Sequence, residues 1–280
     1  MILNCNRSNF INLGGLSLKL KPFFIAQNML TPDPSQTRLN KFISETGFCS
    51  RREADKLIEQ GRVTLNGVRP EMGTKVNPGD VVHIDGQPLK SKKQPIYIAF
   101  NKPVGITCTT ERHIKGNIID FINHKERIFP IGRLDKPSEG LILLTSDGDI
   151  VNKILRAGNN HEKEYVVTVD KPISGDFIKK MSSGVAILDT ITKKCKVVQD
   201  NKQRFSITLT QGLNRQIRRM CDTLGYQVLK LKRTRIMSIT LKDLSVGKWR
   251  YLTAEEMENI NSLLASSVKT EEASILPEWE

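Results

Sequence analysis

One segment, residues 131–149, sets a single carboxylate between two cations directly ahead of an apolar run. Asp135 lies between Arg133 and Lys136, and LILLT begins at Leu141. A glycine-bounded charged turn before a strand is the kind of surface loop on which proteins present reactive side chains. A carboxylate placed there can serve as a nucleophile or as a general base. Such a turn is more often only solvated, so these residues alone leave both interpretations open.

Two further segments carry residues that could join such a site. HEKEYVVTV contains Tyr165, and QGLNRQIRRM contains Arg215, Arg218 and Arg219. Each segment also has an ordinary structural interpretation. A tyrosine at the start of a strand is usually a half-buried core residue, and RQIRRM suits an amphipathic helix whose basic face is solvated. Taken as an ordered set, the carboxylate, the phenol and the guanidinium favour a polar site assembled from three segments.

The first elements that the hydrophobic spacing predicts form a small N-terminal unit. TRLNKFISETG and SRREADKLIEQG carry apolar residues at helical spacing, and Ser50 with Glu53 is a capping box for the second helix. Asn66-Gly67 and Asp85-Gly86 indicate hairpin turns between short strands. The helical part is basic, which suits either a solvated face or phosphate contacts. Its cations are Arg38, Lys41, Arg51, Arg52, Lys56 and Arg62.

A larger unit follows, in which strands outnumber helices. PIYIAFNKP, IFPIGR, LILLT, KEYVVTV, KKCKVVQ and RFSITL are predicted strands, whereas DIVNKIL, DFIKKMSSG and RQIRRMCDTLGY are predicted helices. Connections of hairpin length favour antiparallel pairing. The sequence therefore predicts an α+β protein, in which a small α+β module precedes a domain built around a mixed, largely antiparallel sheet.

Shifts in composition divide the chain. We expect an N-terminal extension over residues 1–36, a basic module over 37–90, a polar linker over 91–95, a second domain over 96–264 and a disordered tail over 265–280. The extension has Lys19 and Lys21 ahead of Phe23, but its apolar core is too short for a signal peptide. Met1 and Met29 both stay open as the start of the native protein.

The charge balance and the cysteine pattern bound the partners and the compartment. The chain has 43 Lys and Arg against 30 Asp and Glu, a formal net charge of +13, which favours nucleic acid before an anionic membrane. No apolar stretch is long enough for a spanning helix. Five scattered cysteines without CxxC spacing indicate reduced thiols in the cytoplasm. The four histidines show no HxE with PCxxC pattern, so we expect no metal and no other cofactor.

Two groups of motifs resemble known families. RLNKFI, SRREADKLIEQGRVTLNG and PGDVV, within residues 38–89, resemble the S-four type RNA-binding module of several RNA-modifying enzymes. NKPVGITCTT, FPIGRLDKPSEGLILLTSDGD, NKILRAGNNHEKEYVVTV, LTQGLNRQIRRM and LKRTRIMSITL resemble the RsuA-type pseudouridine synthases, which carry that module ahead of the catalytic domain and modify ribosomal RNA. LRAGNNHEKEY and RRMCDTLGYQVLKLKRTRIM are most similar to the RluF-like subgroup, which acts on a large-subunit rRNA uridine.

The resemblance, which spans residues 38–263, implies a role for each candidate residue. Asp135 stands at the family's catalytic aspartate, Tyr165 at its active-site tyrosine and Arg218 at the basic residue that pairs with the aspartate. Contacts with RNA are expected from Arg133, Leu134, Lys136, Arg215, Gln216, Ile217, Arg219, Arg38, Lys41, Arg51 and Arg52. Lys193, Lys194 and Lys196 suit phosphate contacts and a solvated strand face equally well.

Pseudouridine formation is chemistry that one carboxylate can support. The reaction cuts the bond between ribose C1′ and uracil N1, turns the base and joins C1′ to C5, without hydrolysis or redox change. Asp135 would act as a nucleophile on C1′ or as a base at C2′. A bidentate arginine, for which Arg218 is the candidate, favours the charged carboxylate. Tyr165 would stack on the flipped uracil and help to remove the C5 proton.

The main alternative is an RNA-binding ribosome-assembly factor whose synthase-like domain only holds RNA. The full set of Asp135, Tyr165 and Arg218 argues against it. The sequence therefore predicts an enzyme that isomerises a uridine of 23S ribosomal RNA, acting as a monomer in the cytoplasm. Which uridine is modified, whether a tRNA is a second substrate and which of the two roles Asp135 plays stay open.

Overall fold

A computed structural model of the protein describes residues 36–90, 94–155 and 160–265. The expectations for the N-terminal extension, for most of the linker and for the C-terminal tail concern residues outside these ranges, and the domain boundaries stay predictions. Buried apolar residues form three clusters. One cluster fills the small N-terminal module, and the other two lie on opposite faces of a nine-stranded sheet.

The small module contains two helices and five short strands. These are β1 (Thr37–Arg38), α1 (Leu39–Glu45), α2 (Arg51–Glu59), β2 (Val63–Leu65), β3 (Lys75–Val76), β4 (Val82–Ile84) and β5 (Gln87–Pro88). The predicted capping box is present, because Ser50 Oγ accepts from Glu53 N at 3.2 Å and Ser50 N donates to Glu53 Oε2 at 2.7 Å. Asn66 and Gly67 adopt the positive φ of a tight turn. The strand before this turn, β2, pairs with β4 and not with β3, the next strand along the chain.

The large domain is organised by its sheet. Its strands are β6 (Tyr97–Lys102), β7 (Phe129–Pro130), β8 (Glu139–Thr145), β9 (Lys163–Val169), β10 (Ala186–Ile187), β11 (Thr190–Ile191), β12 (Lys196–Asn201), β13 (Arg204–Leu209), β14 (Val228–Ile236), β15 (Ile239–Thr240) and β16 (Trp249–Tyr251). The nine-stranded sheet has the order β12-β13-β9-β14-β8-β6-β16, with β15 on β14 and β7 on β8, whereas β10 and β11 form a separate hairpin. The β14–β8 pair is parallel, and the other described pairs are antiparallel. This confirms the predicted α+β class.

Five helices cover the sheet. They are α3 (Ile118–Ile122), α4 (Gly148–Leu155), α5 (Gly175–Ser183), α6 (Gln216–Thr223) and α7 (Ala254–Ala265). The buried residues of α3, α5 and α6 join the larger cluster, and those of α4 and α7 join the smaller one. Alternate residues of β8 supply both clusters, as expected for a strand that is buried on both faces. The helices therefore divide between the two faces of the sheet.

Most of the predicted elements are present within a few residues of their expected bounds. KEYVVTV and RFSITL coincide with β9 and β13, whereas the KKCKVVQ strand begins only at Lys196 and β7 is only two residues long. The sequence patterns predicted neither α3 nor the β10–β11 hairpin, β14, β16 or α7. The pattern of β14 misleads because VLKLKRTRI contains four cations, one of which, Arg233, points inward.

A glycine allows β8 and β14 to pack side by side. In the parallel register, Lys232 lies opposite Glu139 and Arg233 lies opposite Gly140. Gly140 has φ +109°, and a Cβ atom there would lie 2.7 Å from the backbone nitrogen of Arg233. Only glycine fits such a close approach. This junction holds the start of β8, and with it the loop that carries Asp135, against β14.

Candidate active site

Asp135 lies in the loop between β7 and β8, and its side chain is 35% exposed. The backbone of this loop is held by hydrogen bonds to five consecutive carbonyl groups, 133–137. Their donors are Arg233 Nη1 to Arg133 O (3.5 Å), Cys108 Sγ to Leu134 O (3.2 Å), Ser138 N to Asp135 O (3.0 Å), Gly105 N to Lys136 O (2.8 Å) and Arg218 Nη2 to Pro137 O (3.1 Å). The bond from Ser138 N is local, but the other four donors come from separate parts of the chain, so the loop is fixed largely by tertiary structure.

Arg218 is the ion-pair partner of Asp135. Its Nε lies 3.9 Å from Asp135 Oδ2, and its side chain is 14% exposed. The predicted bidentate geometry is wrong, because 3.9 Å is too long for a hydrogen bond and Nε has no hydrogen-bond partner among the described residues. The two Nη atoms instead donate to Val228 O, Pro137 O and Ser138 Oγ. Burial lowers the pKa of the guanidinium, and the charge of Asp135 opposes that shift.

The helix α6 positions Arg218 by burying its other face. Ile217, Met220 and Cys221 lie in the core at helical spacing. Arg215 precedes the helix with φ 47°, and Gln216 Oε1 accepts from Leu213 N at 3.0 Å, which closes the turn at the helix start. The helix is therefore anchored at its beginning and along one side, so that Arg218 reaches the Asp135 loop.

Tyr165 lies on β9, and it is joined to the Asp135 loop through a second arginine. In the antiparallel registers Tyr165 stands opposite Ile207 on one side and Arg233 on the other, so the three side chains share one face. The guanidinium carbon of Arg233 lies 5.9 Å from the Tyr165 ring centroid. Tyr165 is half-buried against the larger cluster, and none of the described hydrogen bonds joins it to Asp135.

The predicted RNA-contact residues divide by exposure. Arg133, Lys136, Arg215 and Arg219 are exposed, as are Arg38, Arg51, Arg52, Lys193, Lys194 and Lys196. Leu134, Gln216 and Ile217 are buried, at 6%, 4% and 5% exposure. Leu134 and Ile217 pack in the larger cluster, and Gln216 accepts a hydrogen bond from Leu213 N. We therefore withdraw these three as side-chain contacts to RNA.

Lys41 is also engaged within the protein. Its ammonium lies 2.7 Å from Asp149 Oδ1 at the start of α4 and 3.4 Å from Glu45 Oε1. Burial is the largest single influence on the pKa of Lys41 and lowers it, but the hydrogen bonds and charges of Asp149 and Glu45 together outweigh burial, so the pKa is raised. This residue is thus not a free cation like Arg38, Arg51 and Arg52, and the expected phosphate contact from Lys41 loses its support.

Two buried cations near the site were not singled out in the sequence. Lys102 is fully buried and donates to Pro103 O and Ile106 O, both at 3.0 Å. Burial lowers its pKa, and Asp135 is among the groups that oppose the shift. Arg233 is 4% exposed and reaches Arg133 O. A cation within an otherwise apolar strand, as in YIAFNK, is the signal that could have identified Lys102.

Within the described ranges, no group of three or more His, Cys, Asp or Glu side chains is arranged to hold a metal ion. None of the helices there is long and apolar enough to cross a membrane.

Comparisons with known proteins agree with this architecture. The family model described as RNA pseudouridylate synthase matches residues 96–223, and the S4 domain model matches residues 37–82. The dual-specificity RNA pseudouridine synthase RluF of Escherichia coli (strain K12) is 58% identical, over 85% of this chain and 82% of the relative. The ribosomal large subunit pseudouridine synthase B of Bacillus subtilis (strain 168) is 36% identical, over 81% of this chain and 96% of the relative. A pseudouridylate synthase crystal structure matches 80% of this chain and 99% of its own, with TM-score 0.60 and 28% identity.

An S4 domain ahead of a mixed-sheet domain with this loop and helix is thus the architecture of an RNA-modifying isomerase. The chain belongs to the RNA pseudouridylate synthase family. Within it the chain is RluF-like, since identity rises from 36% with the B. subtilis enzyme to 58% with RluF of E. coli. The predicted family, subgroup and enzyme class are confirmed, which decides against a non-catalytic assembly factor.

Proposed function

We propose that the protein isomerises a uridine of large-subunit ribosomal RNA, with Asp135 as its catalytic carboxylate. The supporting observation is the loop of residues 133–137, whose five carbonyls are all held by hydrogen bonds while its one carboxylate stands 35% exposed beside Arg218. Rigid support of a partly exposed reactive group is what preorganised catalysis requires. RNA uridine isomerisation itself follows from the family.

In this proposal Asp135 acts on the ribose of a flipped uridine. It attacks C1′ as uracil leaves through N1, or it removes a proton from C2′ to release the base. The detached uracil turns and its C5 joins C1′, which breaks the bond between Asp135 and C1′ in the first route and is accompanied by return of the proton to C2′ in the second. The proton on C5 is then lost and N1 gains one, so that the product is an isomer of the substrate. The guanidinium of Arg218 stands beside the carboxylate before Asp135 acts and after it is released.

Tyr165 stacks on the uracil once the base has left the RNA helix. Arg233 of β14 stands on one side of Tyr165, and Ile207 of β13 stands opposite it on the other side. A phenol in this place supplies a flat apolar face for the base and an oxygen that can take part in removing the C5 proton. This assignment remains a proposal, since no described bond joins Tyr165 to Asp135.

Exposed cations are proposed to bind the RNA backbone on two parts of the chain. Arg133, Lys136, Arg215 and Arg219 flank the candidate active site on the loop and on α6. Arg38, Arg51 and Arg52 offer a second set on the N-terminal module. Because phosphate contacts release counterions, affinity for RNA should fall steeply with salt. Removal of the N-terminal module takes away the second set of cations and leaves Asp135 in place. It should therefore weaken RNA binding more than it slows the chemical step.

The substrate is proposed from the relatives. The B. subtilis relative is named for the ribosomal large subunit, and the E. coli relative is named as dual-specificity. We propose a 23S rRNA uridine as the main target and treat tRNA as a second target to be tested. We also propose that the protein works as a monomer in the cytoplasm, where its cysteines are reduced. The four cysteines of the described residues are free.

Mapping of pseudouridine in cells tests the proposal. Ribosomal and transfer RNA from cells lacking the gene, complemented with wild type or Asp135→Asn, would be treated with carbodiimide and analysed by primer extension. Asp135→Asn keeps the size of the side chain and removes its charge. We expect one stop in 23S rRNA to return with wild type only. A stop restored by Asp135→Asn would refute the role of the carboxylate, and a stop in tRNA alone would refute the substrate.

A further inference from the structure

Arg233 is a buried cation that the proposed mechanism uses only as a neighbour of Tyr165. It lies on β14 at 4% exposure, and no carboxylate of the described residues is within ion-pair distance of its guanidinium. Buried charges are ordinarily paired, because their transfer from water is costly. The surroundings of Arg233 are instead backbone carbonyls and an aromatic ring.

The guanidinium of Arg233 connects three parts of the site. Its Nε donates to Leu141 O on β8 at 2.6 Å, and its Nη1 reaches Arg133 O, two residues before Asp135, at 3.5 Å. Its plane lies near the ring of Tyr165, with 5.9 Å between the guanidinium carbon and the ring centroid. A contact of this kind is a cation–π interaction. One side chain therefore touches the strand that follows the loop, the loop itself and the tyrosine.

The remaining nitrogen of Arg233 argues against a purely stabilising role. Nη2 is buried and has no hydrogen-bond partner in the described residues. A buried donor without a partner lowers stability, and each such group needs an explanation. The backbone of Arg233 is also pressed against Gly140, where only glycine fits. The fold thus holds this guanidinium in place at a cost, which is common where geometry serves function.

We propose that Arg233 is a positioning residue of the isomerisation. Its guanidinium sets the Asp135 loop and the ring of Tyr165 in a fixed relation, so that the ribose and the base of one nucleotide meet both groups. Arginine suits this task because its planar fork reaches two carbonyls while its charge stands over the ring of Tyr165, whereas a lysine ammonium is a single point. The inference rests on the catalytic assignments of Asp135 and Tyr165 made above.

The test compares chemistry with binding in Arg233→Met. The single-turnover rate would be measured by release of tritium from C5-labelled uridine in transcribed 23S rRNA, and RNA affinity by filter binding. Misplacement of reacting groups by about 1 Å can cost on the order of 100-fold in rate. We expect a loss of that order with unchanged RNA affinity. Lys232→Met is the matched control, since it removes a neighbouring cation on the opposite face of β14 and should retain the wild-type rate.

A second variant keeps the proposal testable if Arg233→Met folds poorly. In Arg233→Ala, guanidinium ion added to the assay should recover part of the rate, relative to potassium chloride at the same ionic strength. The same addition should not raise the rate of Lys232→Ala. A merely structural arginine would show parallel losses of rate, affinity and melting temperature, and no recovery with guanidinium.

The outcomes separate this inference from the proposed function. If Asp135→Asn remains active in the tritium assay, the catalytic assignment fails and Arg233 has nothing to position. If Asp135→Asn is inactive while folded Arg233→Met turns over at the wild-type rate, only the positioning role is overturned. A rate loss in Arg233→Met with wild-type affinity, together with recovery by guanidinium, supports both.

Discussion

Arg218→Lys separates charge from geometry beside the proposed catalytic carboxylate. Both Nη atoms of Arg218 donate hydrogen bonds, to Val228 O, Pro137 O and Ser138 Oγ. Only Nε faces Asp135, at 3.9 Å from Oδ2. A lysine keeps the positive charge but offers one ammonium in place of a fork. That ammonium cannot serve acceptors on β14 and on the loop while it also faces the carboxylate. We expect the ion pair to weaken although the net charge is unchanged.

The size of the effect follows from the ion-pair distance. At 3.9 Å two unit charges interact by about 4 kcal/mol at an effective dielectric constant of ~20 and by about 1 kcal/mol in bulk water. The Asp135 side chain is 35% exposed, so solvent screening places the contribution nearer the lower value, about 1–2 kcal/mol. If the transition state loses that amount, the rate of isomerisation falls roughly 5- to 30-fold.

The assay is single-turnover tritium release from C5-labelled uridine in 23S rRNA, with RNA affinity measured in parallel. Arg204→Lys is the control, because Arg204 is an exposed residue of β13 whose partner, Asp200, lies at 3.7 Å on the protein surface. We expect Arg218→Lys to lose rate at nearly unchanged affinity. Wild-type turnover in Arg218→Lys, or an equal loss in Arg204→Lys, would refute the assigned partnership of Arg218 with Asp135.

The other predictions concern stability. Hydrogen bonds from Arg250 hold the pKa of Glu256 at about 2, below its ordinary 4.5. The contribution of Glu256 to stability is therefore complete above pH 4.5 and is lost as the pH falls toward 2. Glu256→Gln should remove about 3 kcal/mol at neutral pH and flatten that acid limb in urea titrations; identical curves for both proteins would contradict this. Gly140→Ala should cost roughly 2–6 kcal/mol, because φ is +109° and the new Cβ overlaps the Arg233 backbone. Gly247→Ala, at φ +79° with only an ordinary contact to Phe121, should cost about 1 kcal/mol, and equal melting temperatures for the two variants would exclude the overlap.

Local signals in the sequence predicted many of the elements correctly. The capping box of Ser50 and Glu53 and the alternation in KEYVVTV and RFSITL depend on neighbours a few residues apart. Such patterns can be recognised in the sequence because the helix and strand periods place residues that are close in the chain on one face. The strand β14 was missed because its cations conceal the alternation, and α3 because five residues carry too little periodicity.

The motifs nominate the members of the candidate site but contain no information on its geometry. Asp135, Tyr165 and Arg218 follow from the motifs, and the ion pair of Asp135 with Arg218 is present. The bidentate contact is absent because Nη2 of Arg218 donates instead to Pro137 O and Ser138 Oγ. These competing acceptors lie about 80 residues away along the chain, as the separations of 81 and 80 show. No local pattern contains that information.

The sequence by itself determined the chemical groups, the charge and the family of this protein, since residue types and motif spacing are properties of the linear chain. The tertiary structure alone decided which of those groups are available. It buried Leu134, Gln216 and Ile217, engaged Lys41 with Asp149, and brought Arg233 to the Asp135 loop. For the loop and helix residues the reason is contact with segments distant in the chain, such as Lys41 with Asp149. For Arg233 the reason is strand register, because the face that its side chain occupies depends on the pairing with Gly140, and a shift of one residue would reverse it.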